Sequence, residues 1–299
     1  MTDQVTIVGA GLMGQGIAAV FARAGYRIVL HDTEDVLTTS VRRTRERLDA
    51  MGAATPAAEI TATPDLPQAV ADADVVVEAV TEDLAVKAEV LGGIDSAAAA
   101  GTIVATNTSA LPLDVLRDNL GPDRPFLATH FFNPAEIVPG VEVAAVDELG
   151  DRAAQQLMEL LAGAGKRPVR VAPSPGFIGN RLQLALFREA ERCVAEGLAS
   201  PADIDTVVRS TFGFRLPAYG PFHIADMAGL QVYASIMETL HDAFGDRFDL
   251  PQSLRERNES GNLGLKSGAG YFEYSPAEQK RIVEERDATY RALLGPVSD

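Results

Sequence analysis

The stretch Val5-Thr6-Ile7-Val8-Gly9-Ala10-Gly11-Leu12-Met13-Gly14 constrains this chain more than any other. A short apolar run breaks into three glycines at GxGxxG spacing, and Ile17, Ala18, Val20 and Phe21 follow at helical intervals. That pattern is strand, tight turn, helix. The first glycine permits the turn, the second lets a pyrophosphate approach the backbone, and the third lets helix and strand pack closely. The helix N-terminus then faces the phosphates. A second short strand, Arg27-Ile28-Val29-Leu30, leads to Asp32, 18 residues after Gly14. A carboxylate there accepts hydrogen bonds from ribose hydroxyls and repels a 2′-phosphate, so the pattern favours NAD over NADP. Gly9, Gly11, Leu12, Met13, Gly14 and Asp32 are the candidate cofactor contacts. The alternative is a structural glycine turn with Asp32 as a cap.

Further apolar runs at Val75–Val77, Ile103–Ala105, Phe126–Ala128 and Val141–Val143 alternate with amphipathic stretches. Continuous β-branched runs of this kind predict a parallel sheet buried on both faces. The first half is therefore expected to be an α/β, Rossmann-type doubly wound domain. Around Pro168–Gly176 three prolines and a glycine close the last strand and mark a boundary. The division predicted is 1–174 for the nucleotide domain and 175–299 for an all-α C-terminal domain. In the latter, apolar spacing predicts a helix over Phe177–Gly197, and Ser200-Pro201 an N-cap followed by proline at the first helical position.

Composition excludes several classes. The net charge of −16 argues against nonspecific nucleic-acid binding and against an anionic membrane surface, both of which need a basic face. The single cysteine, Cys193, leaves no intrachain disulfide framework and no Cys-rich metal site, so no metal is expected. No apolar run reaches the roughly 20 residues that span a bilayer. Met1–Gln4 leads straight into a strand, so no signal peptide is expected and the chain is read as cytoplasmic.

His130 follows the Phe126–Ala128 strand, at a carboxyl end where open α/β sheets bind ligands. Asn107, Thr108 and Ser109 occupy the same rim after Ile103–Ala105. Glu142, flanked by Val141 and Val143, is a carboxylate in a buried strand and needs a partner, for which a nearby imidazole is the natural choice. A lone histidine is more often structural than catalytic. This arrangement nevertheless suits dehydrogenation of a secondary alcohol, with imidazole as base and Glu142 stabilising the imidazolium.

These residues carry a resemblance. The chain resembles the L-3-hydroxyacyl-CoA dehydrogenase family through Val8–Gly14, Val77–Lys87, Thr106–Ser109, His130–Pro134, Pro175–Arg181, Gly220–Phe222 and Gly264–Tyr271, in order over nearly its full length. The resemblance implies that His130 is the base, Glu142 its partner, and that Ser109 and Asn180 bind the substrate oxygen. It implies that Glu82, Lys87, Asn107, Ser109, Asn133 and Lys266 contact NAD, and that the second domain forms a homodimer. Blander readings are an exposed helix pair for Glu82 and Lys87, a helix cap for Asn180, and ordinary surface for Lys266.

Three departures bear on the substrate. The segment between Asp32 and Ile60 is shorter than the helical pair that supplies CoA contacts in acyl-CoA enzymes, and it has no lysine. Its arginines, Arg42, Arg43, Arg45 and Arg47, are either a solvated face or phosphate ligands, Arg42 and Arg43 being the candidates. Pro139 stands where acyl-CoA enzymes carry lysine, and the loop with Arg215 has the length found in the gulonate and carnitine dehydrogenase branch. Arg215 either holds a substrate carboxylate or makes a salt bridge. His223 replaces a usual glutamate without an evident reason. The expected activity is NAD-dependent interconversion of a 3-hydroxyacyl and a 3-oxoacyl thioester, as in fatty acid metabolism. The acyl group would be short or polar, carried on CoA or an acyl carrier protein. The alternatives are a dehydrogenase of a free hydroxy acid and a non-catalytic NAD-binding protein.

Overall fold

The computed structural model describes residues 4–52 and 59–294. Strands β1 (Gln4–Val8), β2 (Arg27–His31), β3 (Ile60–Thr63), β4 (Val75–Glu78), β5 (Ile103–Thr106), β6 (Phe126–Phe131), β7 (Gly140–Ala144) and β8 (Arg167–Arg170) form one sheet. Their order is β3-β2-β1-β4-β5-β6-β7-β8. The sheet is thus of the doubly wound type, and the order reverses between β1 and β4, where such sheets open a crevice at their carboxyl ends. Both faces are buried. Val5, Ile7, Val75, Val77 and Leu127 pack on one side against Ile17, Ala18 and Phe21 of the helix Leu12–Arg23. Val76, Val104, Phe126 and Ala128 pack on the other against Leu91, Ile94 and Leu116. This two-sided burial is why the strands read as continuous apolar runs.

The last two strands depart from the expected parallel pattern, since β8 pairs parallel with β7 and both run against β1–β6. β7 runs antiparallel to β6. The connection 132–139 is too short for the crossover that a parallel partner needs, so the chain turns back on itself. The consequence is local: the register sets His130 directly opposite Glu142.

The chain divides into two compact units, Met1–Leu186 and Phe187–Asp299. The division falls inside the helix Gly179–Ala195. Phe177 belongs to the core of the first unit. That helix also starts two residues later than periodicity predicts, since Gly176 (φ 74°) and Phe177 (φ 47°) are left-handed. The second unit is helical, as expected, with Ser200 accepting from the Asp203 amide as an N-cap ahead of Pro201. Within it Asp226, 1% exposed, accepts from the amides of Tyr271 and Phe272 and from the Tyr274 hydroxyl, and so organises the 264–274 loop. Arg247 pairs with Glu189 and Glu196. No helix among the described residues is long and apolar enough to cross a membrane.

Arg124 shows how the first unit closes the end of a helix. Its guanidinium bonds Asp95 at 2.8 Å and caps the carbonyls of Asp95, Ala98 and Ala99 where the helix Leu84–Ala97 ends. Burial pushes the Asp95 carboxyl up, but Arg124 and the Gly121 amide outweigh it and hold the group below its ordinary value. A carboxyl depressed on folding adds stability above its unfolded pKa and loses it as pH falls through the folded one. Arg124→Ala is expected to cost about 2–3 kcal/mol in urea unfolding at neutral pH. The deficit should narrow as the solution is acidified through the carboxylate range.

Candidate active site

The glycine turn has the shape its spacing predicts. Gly9 adopts φ 101°, and a side chain there would strike the backbone of Ala79 and Val80 at 2.6 Å. At Gly14 a Cβ would lie 1.8 Å from the Gly9 carbonyl oxygen. Gly11 differs: nothing lies within 4 Å of its would-be Cβ. It is also the N-cap of the helix Leu12–Arg23, which has no side-chain cap and no acidic residue in its first turn. The space beside Gly11 is therefore open at a positive helix end, the environment a pyrophosphate requires. Asp32, just past β2, is held by the amides of Ala10 (2.8 Å) and Thr33 (2.7 Å). The residues present therefore fit a dinucleotide.

At the carboxyl end of β4 lies a charge cluster that sequence reasoning only half saw. Glu78 and Lys87 are 0% and 1% exposed and pair at 2.7 Å. Glu78 also accepts from the Thr106 hydroxyl and the Val80 amide. Lys87 is thus not part of an exposed helix pair; its ammonium is enclosed, with the Val80 carbonyl as a further acceptor. Glu82, 3.5 Å from Lys87, is the exposed member. It accepts from the Thr108 hydroxyl and the amides of Ser109 and Ala110. Burial pushes the Glu82 carboxyl up, but these donors, with Lys87, hold it below its ordinary value. The cluster thereby ties the loop after β4 to the loop that carries Ser109. Glu78 was missed, although a glutamate closing the run Val75–Val77 was the available signal.

His130 and Glu142 meet across β6 and β7, with Nδ1 2.9 Å from Oε2. The other carboxylate oxygen accepts from the amides of Ile178 and Gly179, both at 2.9 Å. Those amides open the helix Gly179–Ala195, so the carboxylate sits at a positive helix end. The next residue, Asn180, donates from Nδ2 to the Ser109 carbonyl at 3.3 Å. His130, Glu142, Asn180 and Ser109 are thus brought together by one chain of contacts. Asn107 accepts from the Phe131 amide at 3.0 Å and fastens β5 to the end of β6. Asn133 lies exposed on the same rim, before the cis peptide to Pro134.

Three further residues shape this centre. The rings of Phe132 and Phe177 lie 4.5 Å and 5.5 Å from the imidazole. Gly179 makes room for Phe132, whose ring would be 2.4 Å from a Cβ at that position. With Nδ1 donating to the carboxylate, a neutral imidazole presents the Nε2 lone pair as a base.

Residues 4–174 match the NAD binding domain of 3-hydroxyacyl-CoA dehydrogenase, and residues 176–274 match its C-terminal domain. The chain belongs to the 3-hydroxyacyl-CoA dehydrogenase family. It is an NAD-dependent oxidoreductase of the type acting on CH–OH. It is 34% identical over 297 residues to a 5-formyl-3-hydroxy-2-methylpyridine 4-carboxylate 5-dehydrogenase of Mesorhizobium japonicum, covering 96% of this chain and 95% of that one. It is also 34% identical to a probable 3-hydroxybutyryl-CoA dehydrogenase of Deinococcus radiodurans, covering 90% and 99%. A crystallised 3-hydroxyacyl-CoA dehydrogenase from Archaeoglobus fulgidus superposes with a TM-score of 0.80 at 29% identity, covering 97% and 99%.

The departures from the acyl-CoA dehydrogenases also have a place. Between β2 and β3 the described residues form a single helix, Glu34–Ala50, and 53–58 lie outside the described residues. The arginines of that helix separate. Arg42 pairs with Glu46 on the surface. Arg47 pairs with Glu136. Arg43 and Arg47 line a cleft of about 870 Å³ that Gly11 and Leu12 also border. In the second unit Arg215 lines a small pocket with Arg286, Asp287 and Tyr290, and Lys266 lies in the turn Leu265–Ser267. His223 stacks on Phe272 at 3.8 Å, a packing role that the sequence did not suggest.

The two kinds of ion pair differ sharply in environment. Lys87→Met strands the buried Glu78 carboxylate and should cost about 3–5 kcal/mol of stability. Removing the exposed Arg42–Glu46 pair should cost about 0.5 kcal/mol or less. Chemical denaturation of both variants checks the contrast.

Proposed function

We propose that this enzyme oxidises the hydroxyl of a short or polar 3-hydroxyacyl thioester, on CoA or a carrier protein, through a His130–Glu142 dyad. One observation carries the proposal: the Glu142 carboxylate is bonded both to the His130 ring and to the helix start that bears Asn180. On this reading His130 Nε2 takes the hydroxyl proton, while Glu142 holds the ring and balances the charge it acquires. Asn180 and Ser109 polarise the oxygen of the carbonyl that forms. Gly9, Gly11, Leu12, Met13 and Gly14 receive the pyrophosphate of NAD and Asp32 its ribose, with Asn107, Asn133 and Glu82 further contacts by family resemblance, while the enclosed Lys87 supports the site through Glu78 and Glu82 rather than touching NAD. NAD supplies the two-electron acceptor. A homodimer through the helical unit fits the exposure of Phe187, Leu198 and Val207 there.

A second reading is favoured by two observations. The segment between β2 and β3 lacks lysine, and its described residues form one helix, Glu34–Ala50, rather than the pair associated with CoA. A relative aligned over 96% of the chain is named for a free pyridine carboxylate. Under that reading Arg43 or Arg215 holds a carboxylate bidentately. Turnover at 340 nm of acetoacetyl-CoA, set against gulonate, carnitine and 3-hydroxybutyrate, separates the two. The thioester reading expects acetoacetyl-CoA to be preferred, and turnover of the free acids alone would overturn it. In either case His130→Gln should lower kcat by about 10²–10⁴ while NAD binding persists. Full activity of that variant would exclude the dyad.

A further inference from the structure

Phe177 combines a buried core side chain with two features that packing alone does not require. Its backbone is left-handed, with φ 47°, a conformation that costs a bulky L residue free energy and that glycine would adopt without strain. Its side chain is 2% exposed. Its ring lies 5.5 Å from the His130 ring, with the planes 25° apart, so a flat aromatic face is presented to the imidazole. Gly176 before it is also left-handed, and the Phe177 amide donates to the Ser174 carbonyl at 2.9 Å. This double turn aims the Ile178 and Gly179 amides at Glu142, and it places the ring over His130. Phe132 covers the imidazole from a tilted angle at 4.5 Å.

We propose that Phe177 is a positioning residue for the reaction, its strained turn holding an aromatic face against His130 to stabilise the imidazolium that forms as the substrate's proton is taken. The proposal rests on His130 being the base. A neutral imidazole gains little from a ring quadrupole beyond ordinary contact. A cationic ring within about 6 Å of the aromatic centroid is attracted to it, more strongly where water is excluded. The interaction therefore grows as the proton moves from the hydroxyl to Nε2. An interaction stronger in the transition state than in the ground state raises kcat and leaves KM unchanged. A residue that only fills the core has no such selectivity.

The test replaces Phe177 in the full-length enzyme with mono-, di- and trifluorinated phenylalanine, which weaken the ring quadrupole at nearly constant shape. The oxidation rate is then measured on whichever substrate the panel above identifies. The expected result is a stepwise fall in kcat of about twofold per fluorine, with substrate KM and NAD affinity constant. Phe177→Leu, which keeps apolar bulk without a π face, should lose about tenfold in kcat with the same constancy. A flat fluorine series overturns the proposal, as does a loss of kcat matched by losses in KM and NAD binding. His130→Gln measured alongside keeps the two claims apart. Its retained turnover would sink the base assignment itself, whereas an inactive His130→Gln with a flat series would sink only the role of Phe177.

Discussion

The Glu142 carboxylate is the point on which the centre turns. One oxygen takes the His130 Nδ1 hydrogen bond and the other takes the first amides of the helix Gly179–Ala195. A carboxylate with side-chain exposure of only 10% needs such partners, because burying an unpaired charge is costly. Those bonds orient a strand histidine and fasten the helix whose first turn presents Asn180 to the Ser109 loop. The antiparallel turn of β7 makes this possible, since its register sets Glu142 opposite His130. Phe132, Phe177 and Gly179 then pack around the pair, so geometry and a dry environment come from the same few residues.

Charge poses a complementary problem. A chain of net charge −16 must accept NAD, itself an anion, and its overall field gives no help. The donors are local: an uncapped helix end at Gly11, with no acidic residue in the first turn, supplies amides where the pyrophosphate would lie. The few lysines are used sparingly. Lys87 is enclosed with Glu78, and Lys166 is buried against the carbonyls of Ala135 and Val138, so neither adds a mobile surface charge. The cations that line the cleft are arginines, and Arg47 is already paired with Glu136. Arg43 lines the cleft that Gly11 and Leu12 border.

Much of this was legible in the sequence, for physical reasons. Strands buried on both faces leave continuous apolar runs, and the glycine turn leaves a spacing that few other backbones need. The need of Glu142 for a partner could be deduced from its apolar neighbours. Other features were not legible. The reversal of β7 depends on connection length, which hydrophobic pattern does not report. The left-handed Phe177 defies propensity, so helical periodicity starts the helix two residues before Gly179. Glu78 and Lys87 are nine residues apart on different elements, and only the tertiary fold shows that each is the other's partner. The roles of Arg42, Arg43 and Arg47 diverge although they share one helix, because helical phase decides which faces the cleft.

The claim that His130 and Glu142 act as one unit is open to a single measurement, the double-mutant cycle of His130→Gln and Glu142→Gln in kcat/KM. If the carboxylate works by holding and charging the imidazole, the double variant should be scarcely worse than His130→Gln alone, giving strong non-additivity. Losses that simply multiply would show that the two residues contribute independently, and would contradict the account.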